Sequence, residues 1–568
     1  MKKKLLWFFL IILFVILLVA LSLSFFFHRL GPQEAEVAKN SYLEIRLEGQ
    51  LKDYTSATPW GELFPSRAIS LYDTWMNLRK ASLDSRIKAV VIKFGLLEAD
   101  WAKIEELRQS VLEFRKSGKP VIAYFEELTE ADKEYYLATA CDKIVMHPLG
   151  WIGVNGLAAY VPFFKGTLDR LGITAEFEHI EEYKTAYNQF TEKGFTSAHK
   201  EMLQSIYDDI FANYLEQIAS ARKKSPDQMR QLIDTGYFRG NGAIESGLVD
   251  ELAYEDQLFQ MAGLEKYKEL IRISNEKYSS VNPGQFGLNQ GQKIALIFAS
   301  GTILPGTEER VALGSEAFTH WLRAAVKDKT IKAIVVRVDS PGGSALGSDV
   351  IWHELVKARA EKPVVISMSG LAGSGGYWIA LGGHKIIAQP QTLTGSIGVI
   401  AGKFSFEGLM EKLDINTEKL VIGKNADAFS FYRPFSPEER KILKEEISYL
   451  YEQFLERVAT ARNLPVEEVD RIGRGRVWTG NQAKKLNLVD ELGGFFQAID
   501  AARSLAGIPT EEEIRLVVWP KKRSFWDIVF GRKTGLNQSA SDLITDYKKL
   551  MGTFSQARAW SLMPFWLY

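Results

Sequence analysis

The 568-residue chain balances 70 basic against 70 acidic side chains, so no net field draws it to nucleic acid or to a charged partner. Its one cysteine, Cys141, excludes an internal disulfide framework and reads as a core residue. Seven scattered histidines without a C-x-x-C or H-E-x-x-H pattern offer no metal site, and the chemistry is expected to run on side chains alone, with no cofactor.

In chain order, Lys2, Lys3 and Lys4 precede an uncharged run from Leu5 to Phe27. As a helix this run is roughly 35 Å long, enough to cross a hydrocarbon core of about 30 Å and too long for the apolar core of a cleaved signal peptide. It predicts an uncleaved single-pass anchor. The lysines place residues 1–4 in the cytoplasm and everything after His28 outside it.

The rest of the chain repeats itself. Ile87-Lys88-Ala89-Val90-Val91 recurs as Ile331-Lys332-Ala333-Ile334-Val335, at an offset of 244. Lys119-Pro120-Val121-Ile122 recurs as Lys362-Pro363-Val364-Val365, and Leu248-Val249-Asp250-Glu251-Leu252 recurs as Leu488-Val489-Asp490-Glu491-Leu492. The offset drifts slowly from 244 to 240, as loop insertions and deletions produce. We read a tandem duplication: residues 41–274, a polar glycine-rich linker at 275–292, a second copy at 293–520 and a tail at 521–568.

Within the second copy, Ile294–Phe298, Ile331–Val338 and Pro363–Met368 read as buried strands, with helices at Phe318–Val326 and Val350–Arg359 between them. That order predicts a parallel sheet covered on both faces. Residues 437–462 predict a long amphipathic helix with a first-copy partner at about 197–222. The tail is basic and then ends in AWSLMPFWLY, which suits a membrane-surface contact, a docking segment or core.

The segment SMSGLAGSGGYWIALGG at 367–383 runs from a strand through a glycine-dense turn into a helix beginning at Tyr377–Leu381, and presents Ser374 at the turn. Unpaired N–H groups at a helix start can receive a developing oxyanion, and glycines on either side let a substrate backbone come close. The pattern is not G-x-S-x-G, because Ala372 stands two residues before the serine. By itself the segment fits equally a packing corner whose serine caps a helix. The duplication separates these readings. At matching offsets Ser374 faces Asp132, the turn Pro341-Gly342-Gly343 faces Leu97-Glu98-Ala99, and Ser396 faces Val154. Conversely Lys184, in EEYKTAYN, faces Ala426, with Lys424 two positions away. One copy holds a serine and a Gly-Gly turn and the other a lysine, as one site assembled from two halves would.

These residues resemble the long, duplicated signal peptide peptidases (protease IV) of the S49 serine protease family. The resemblance rests on SPGG at 340–343, GSGGYW at 373–378, LTGSIGV at 393–399 and YKTA at 183–186, and covers both copies and the anchor. It implies an α/β fold, a tandem duplication of a Clp protease/crotonase-like unit. It implies Ser374 as nucleophile, Lys184 as general base, and a homo-oligomer, a tetramer, at the extracytoplasmic face of a bacterial membrane, cutting signal peptides and other unfolded apolar peptides. By analogy with related folds, the N–H groups of Gly375 and Gly343 would hold the oxyanion. Ser396 reads either as a turn serine or as a partner orienting the lysine.

A serine hydroxyl needs a base, and lysine serves only when neutral. Glu181 and Glu182, just before Lys184, would hold it charged unless they point to solvent. Asp339, Asp349 and His353 suggest a Ser-His-Asp triad, but Asp349 and His353 sit i, i+4 on one predicted helix and read as a surface pair. The expectation is an anchored serine endopeptidase with a Ser374–Lys184 dyad. The alternatives are a catalytically inactive anchored scaffold or peptide-binding protein, and a crotonase-like acyl-CoA enzyme using a carboxylate base.

Overall fold

A computed structural model of the protein describes residues 34–55, 68–260, 269–308, 312–521 and 560–562. The expected anchor, Leu5–Phe27, lies outside the described residues; among those described, no helix is long and apolar enough to cross a membrane.

Two parallel sheets are built alike. In the first, strands run in the spatial order Ile271–Ser274, Ser41–Lys52, Ile87–Glu98, Val121–Phe125, Lys143–Met146 and Glu251–Leu252. In the second, Ile514–Trp519, Gln292–Ser300, Ile331–Ser340, Val364–Gly373, Lys385–Ala388 and Glu491–Leu492 follow in the same order. Their central Val/Ile runs are buried on both faces, which is why they read as continuous apolar stretches rather than alternating ones. The polar ties repeat as well. Tyr135 donates to the Leu248 carbonyl at 3.0 Å and Tyr377 to that of Leu488 at 2.8 Å. Arg222 pairs with Asp250 as Arg462 does with Asp490. The two long helices are Ser197–Ala221 and Pro437–Arg462, the latter begun by a capping box of Ser436 and Glu439 with Pro437 at its first position. Cys141 is buried in the first core.

The copies are joined through buried charge. Arg337, 1% exposed, leaves the second sheet to donate to Asp53 Oδ1 at 2.9 Å and to both Glu106 oxygens at 2.8 and 3.0 Å, all from the first copy. It also holds Ser367 and Ser369, both at 2.9 Å, on the strand leading to Ser374. Lys103, on the first-copy helix Trp101–Arg115, bridges Asp100 at 2.5 Å and second-copy Asp339 at 2.8 Å. Burial pushes the Glu106 carboxyl up to about 7, against the pull of Arg337.

A third sheet combines both copies. First-copy Thr174–His179 pairs antiparallel with second-copy Ile400–Ser405. On its far side, Leu313–Gly314, Ile303–Leu304 and Gly342–Ser344 form a short ladder.

Candidate active site

The Val364–Gly373 strand forks. Its start pairs with Lys385–Ala388, and its end pairs with Leu393–Gly395, with Gly373 opposite Gly395. The register therefore sets Ser374 beside Ser396, and the Ser374 N–H donates to the Gly395 carbonyl at 2.8 Å. Ser374 turns the chain sharply into the Gly375–Ala380 helix with φ 55° and ψ −115°, and Ser396 also has a positive φ of 52°. For a residue with a side chain such a backbone costs about 1–3 kcal/mol, held here by the surrounding ladder.

Gly375 and Gly376 are required by the protein's own packing. A methyl group at Gly376 would stand 2.6 Å from the Ser340 carbonyl, and one at Gly375 would stand 2.5 Å from Ser348 Oγ and 3.2 Å from Gly343 N. This close approach places Gly375 and Gly343, the residues expected to hold the oxyanion, side by side next to the serine.

Lys184 arrives from the first copy. The Thr174–His179 ladder continues as Ile180 N–H to the Val399 carbonyl at 3.1 Å, then Tyr183 N–H to the Arg474 carbonyl at 3.1 Å. The lysine then enters a slot between glycines: Cβ atoms at Gly475 and Gly398 would lie 2.4 Å from its N and 3.2 Å from its Cδ. Its Nζ lies 2.7 Å from Ser374 Oγ and 3.0 Å from both the carbonyl oxygen and the hydroxyl of Ser396. A neutral amine has two N–H groups and one lone pair. The Ser396 carbonyl can only accept, so one N–H is committed there. A second N–H to the Ser396 hydroxyl leaves the lone pair towards Ser374.

Lys184 and Ser374 are both fully buried, and burial alone lowers the lysine's affinity for a proton well below its ordinary value. Glu181 and Glu182 do not oppose this. Glu182 is exposed and Glu181 partly so, and both pair with Arg474, at 3.1 and 3.0 Å, where their charge is met. A consequence follows for stability. Between the depressed native pKa and the ordinary value of 10.5, the folded lysine is neutral while the unfolded one is protonated. The unfolded state then binds more protons, so the lysine's contribution rises with pH by about 1.4 kcal/mol per pH unit across that window. Denaturant titrations of wild type and Lys184→Met should show the variant more stable at neutral pH, with the gap closing towards pH 10.

Other candidates are not brought in. Lys424 is exposed on a separate loop. Asp339 is held by Lys103, and Asp349 pairs with Arg457 at 2.9 Å rather than with His353, which corrects the expected surface pair. In the first copy, Asp132, which faces Ser374 in the repeat alignment, is a buried acceptor for Tyr214 at 2.7 Å and for the N–H groups of Asn155 and Gly156. Sequence reasoning missed Gly475 and Arg474, whose local signal is the GRGR run at 473–476, and gave no role to Gly398 within LTGSIGV at 393–399.

A buried hydroxyl beside an amine whose burial favours its neutral form suits attack on a carbonyl, the chemistry of a serine hydrolase. The comparisons agree. The model of peptidase family S49 matches residues 113–268 and 357–509, one stretch in each copy. A chloroplastic serine protease SPPA of Arabidopsis thaliana is 34% identical over 85% of this chain and 71% of its own length. Protease 4 of Salmonella typhi is 34% identical over 82% of this chain and 76% of its own. A putative signal peptide peptidase SppA of Enterococcus faecium is 30% identical over 42% of this chain and 73% of its own. The chain belongs to peptidase family S49, and it is a serine peptidase.

Proposed function

We propose that the protein is a membrane-anchored endopeptidase that degrades cleaved signal peptides and other short apolar peptides, with Ser374 as nucleophile and Lys184 as general base. The observation carrying this reading is the 2.7 Å contact between a buried first-copy lysine and a buried second-copy serine. Lys184 takes the hydroxyl proton as Ser374 attacks the scissile carbonyl. The N–H groups of Gly375 and Gly343 receive the oxyanion, and the protonated lysine returns its proton to the leaving amine. Ser396 orients the amine through its two acceptors. Each copy is taken as a Clp protease- or crotonase-like unit, and the working form as a homo-oligomer, a tetramer, anchored by Leu5–Phe27 at the extracytoplasmic face of a bacterial membrane.

A fluorophosphonate probe tests the nucleophile directly. It should label wild type covalently and leave Ser374→Ala unlabelled. Equal labelling of both would move the nucleophile elsewhere, and no labelling of either would favour a scaffold.

A further inference from the structure

The strand Val364–Gly373, which leads into Ser374, does not keep an even register beside Ile331–Ser340. Val338 stands opposite Met368 but Ser340 stands opposite Ala372, so two steps on one strand are matched by four on the other. Ser369, Gly370 and Leu371 therefore bulge over against Asp339. A bulge re-aims the residues that follow it. Here these are the nucleophile turn on one strand and the Gly342-Gly343 turn on the other: Gly370 comes four residues before Ser374, and Asp339 four before Gly343.

What packs on the bulge comes from the first copy. Asp100 caps the helix Trp101–Arg115, its Oδ1 accepting the Lys103 N–H at 2.9 Å. Its Oδ2 accepts from the Lys103 amine at 2.5 Å, and the same amine donates to Asp339 Oδ2 at 2.8 Å. Gly370 lies against this pair. A Cβ there would overlap the Asp100 carboxylate, while the Gly370 backbone itself, without a positive φ, makes no demand for glycine. One ion pair thus meets both strands at the level of the bulge. Three residues further along the helix, Glu106 grips Arg337, which donates to Ser369 Oγ at 2.9 Å on the bulge itself. Asp100, Lys103 and Glu106 are spaced by three, so one helix face makes all of these contacts. Lys103 is the opposite of Lys184 in charge: burial works against its proton, but Asp100 and Asp339 hold its pKa above the usual value. Four residues of strand put the pair on the order of 10 Å from Ser374 and Gly343, out of reach of the reacting atoms.

We infer that Asp100 and Lys103 are positioning residues: by packing into the bulge and tying it to Asp339, they set the nucleophile turn against the Gly342-Gly343 turn. The first copy then supplies the alignment of the second copy's two turns as well as the lysine base. The inference rests on the proposed peptidase reading for what those turns do.

The test uses full-length protein. Asp339→Ala leaves Lys103 and Asp100 as a balanced pair and cuts only their tie to the second copy. Its kcat on a fluorogenic apolar peptide should fall about 10- to 100-fold with KM within about 2-fold of wild type, the loss that a displacement near 1 Å produces. Asp339→Asn keeps an oxygen that accepts from Lys103 and should recover most of that loss. Lys103→Met should lose a similar factor, and the double variant Lys103→Met/Asp339→Ala little more than the worse single one, because both cut the same tie. An unchanged kcat in Asp339→Ala, a loss carried by KM, no recovery in Asp339→Asn, or losses that add in the double variant would each overturn the inference. Amide hydrogen exchange needs no catalysis. In Asp339→Ala it should quicken over residues 340–344 and 369–376 and stay as in wild type elsewhere. Unchanged exchange in those two segments, or faster exchange throughout both copies, which would make the pair a tie between copies and nothing more, overturns it. If exchange responds as expected but wild type cleaves nothing, the peptidase reading fails while the alignment of the two turns stands.

Discussion

Ser374→Ala and Lys184→Ala should each abolish cleavage of a fluorogenic apolar peptide, while Lys424→Ala leaves it unchanged. Removing a nucleophile or its base typically costs 10⁴-fold or more in kcat, and the two losses should not add, because each leaves the other without a task. The Lys184 variant is the sharper test. The Ser396 hydroxyl at Lys184 and the Gly398 carbonyl at Ser374 cannot take up a proton at neutral pH in the amine's place. Because burial depresses the lysine, kcat/KM should rise with pH through a pKa well below 10.5 and stay on a plateau above it. Retained cleavage by Lys184→Ala, with loss in Lys424→Ala, would return the site to the second copy alone.

Arg337→Met should have the largest effect on stability. The substitution keeps most of the side-chain volume but strands Asp53 and Glu106, 4% and 1% exposed, without their cation. Breaking a buried pair by removing one partner costs about 3–5 kcal/mol, far more than exposed pairs return. Since the anions come from one copy and the arginine from the other, the damage should appear as uncoupling of the copies. Chemical denaturation should show a lower midpoint or two transitions in place of one. Adding Glu106→Gln to Arg337→Met should recover part of the loss, because a neutral amide needs no counter-charge. A midpoint unchanged in Arg337→Met would show that the cluster contributes little to joining the copies.

Much of the framework was readable from the sequence because a duplicated chain supplies its own comparison. The strands at Ile87 and Ile331 declare themselves by unbroken Val/Ile runs, and the Pro437–Arg462 helix by Ser436, Pro437 and Glu439. The contrast of Lys184 with Ala426 and of Ser374 with Asp132 singled out two residues that the fold then sets 2.7 Å apart. What stayed hidden depends on contacts distant in sequence. Nothing local shows that Arg474 meets Glu181 and Glu182, almost 300 residues earlier, so their charge looked like a threat to the lysine. Gly398 and Gly475 show their part only once the lysine is seen between them. Likewise, Asp349 reads as a partner for His353 along its helix, while Arg457 reaches it from another one.

The lysine slot also sets a clock. Lys184 is made early, yet the walls that strip it of water, Gly398 and Gly475, follow more than two hundred residues later. At about 5–20 residues per second, roughly 15–60 s of synthesis separate the amine from the last wall. Until then Lys184 is hydrated and protonated and cannot serve as a base. Under the proposed mechanism, a growing chain, or one cut short before residue 475, therefore lacks a working base.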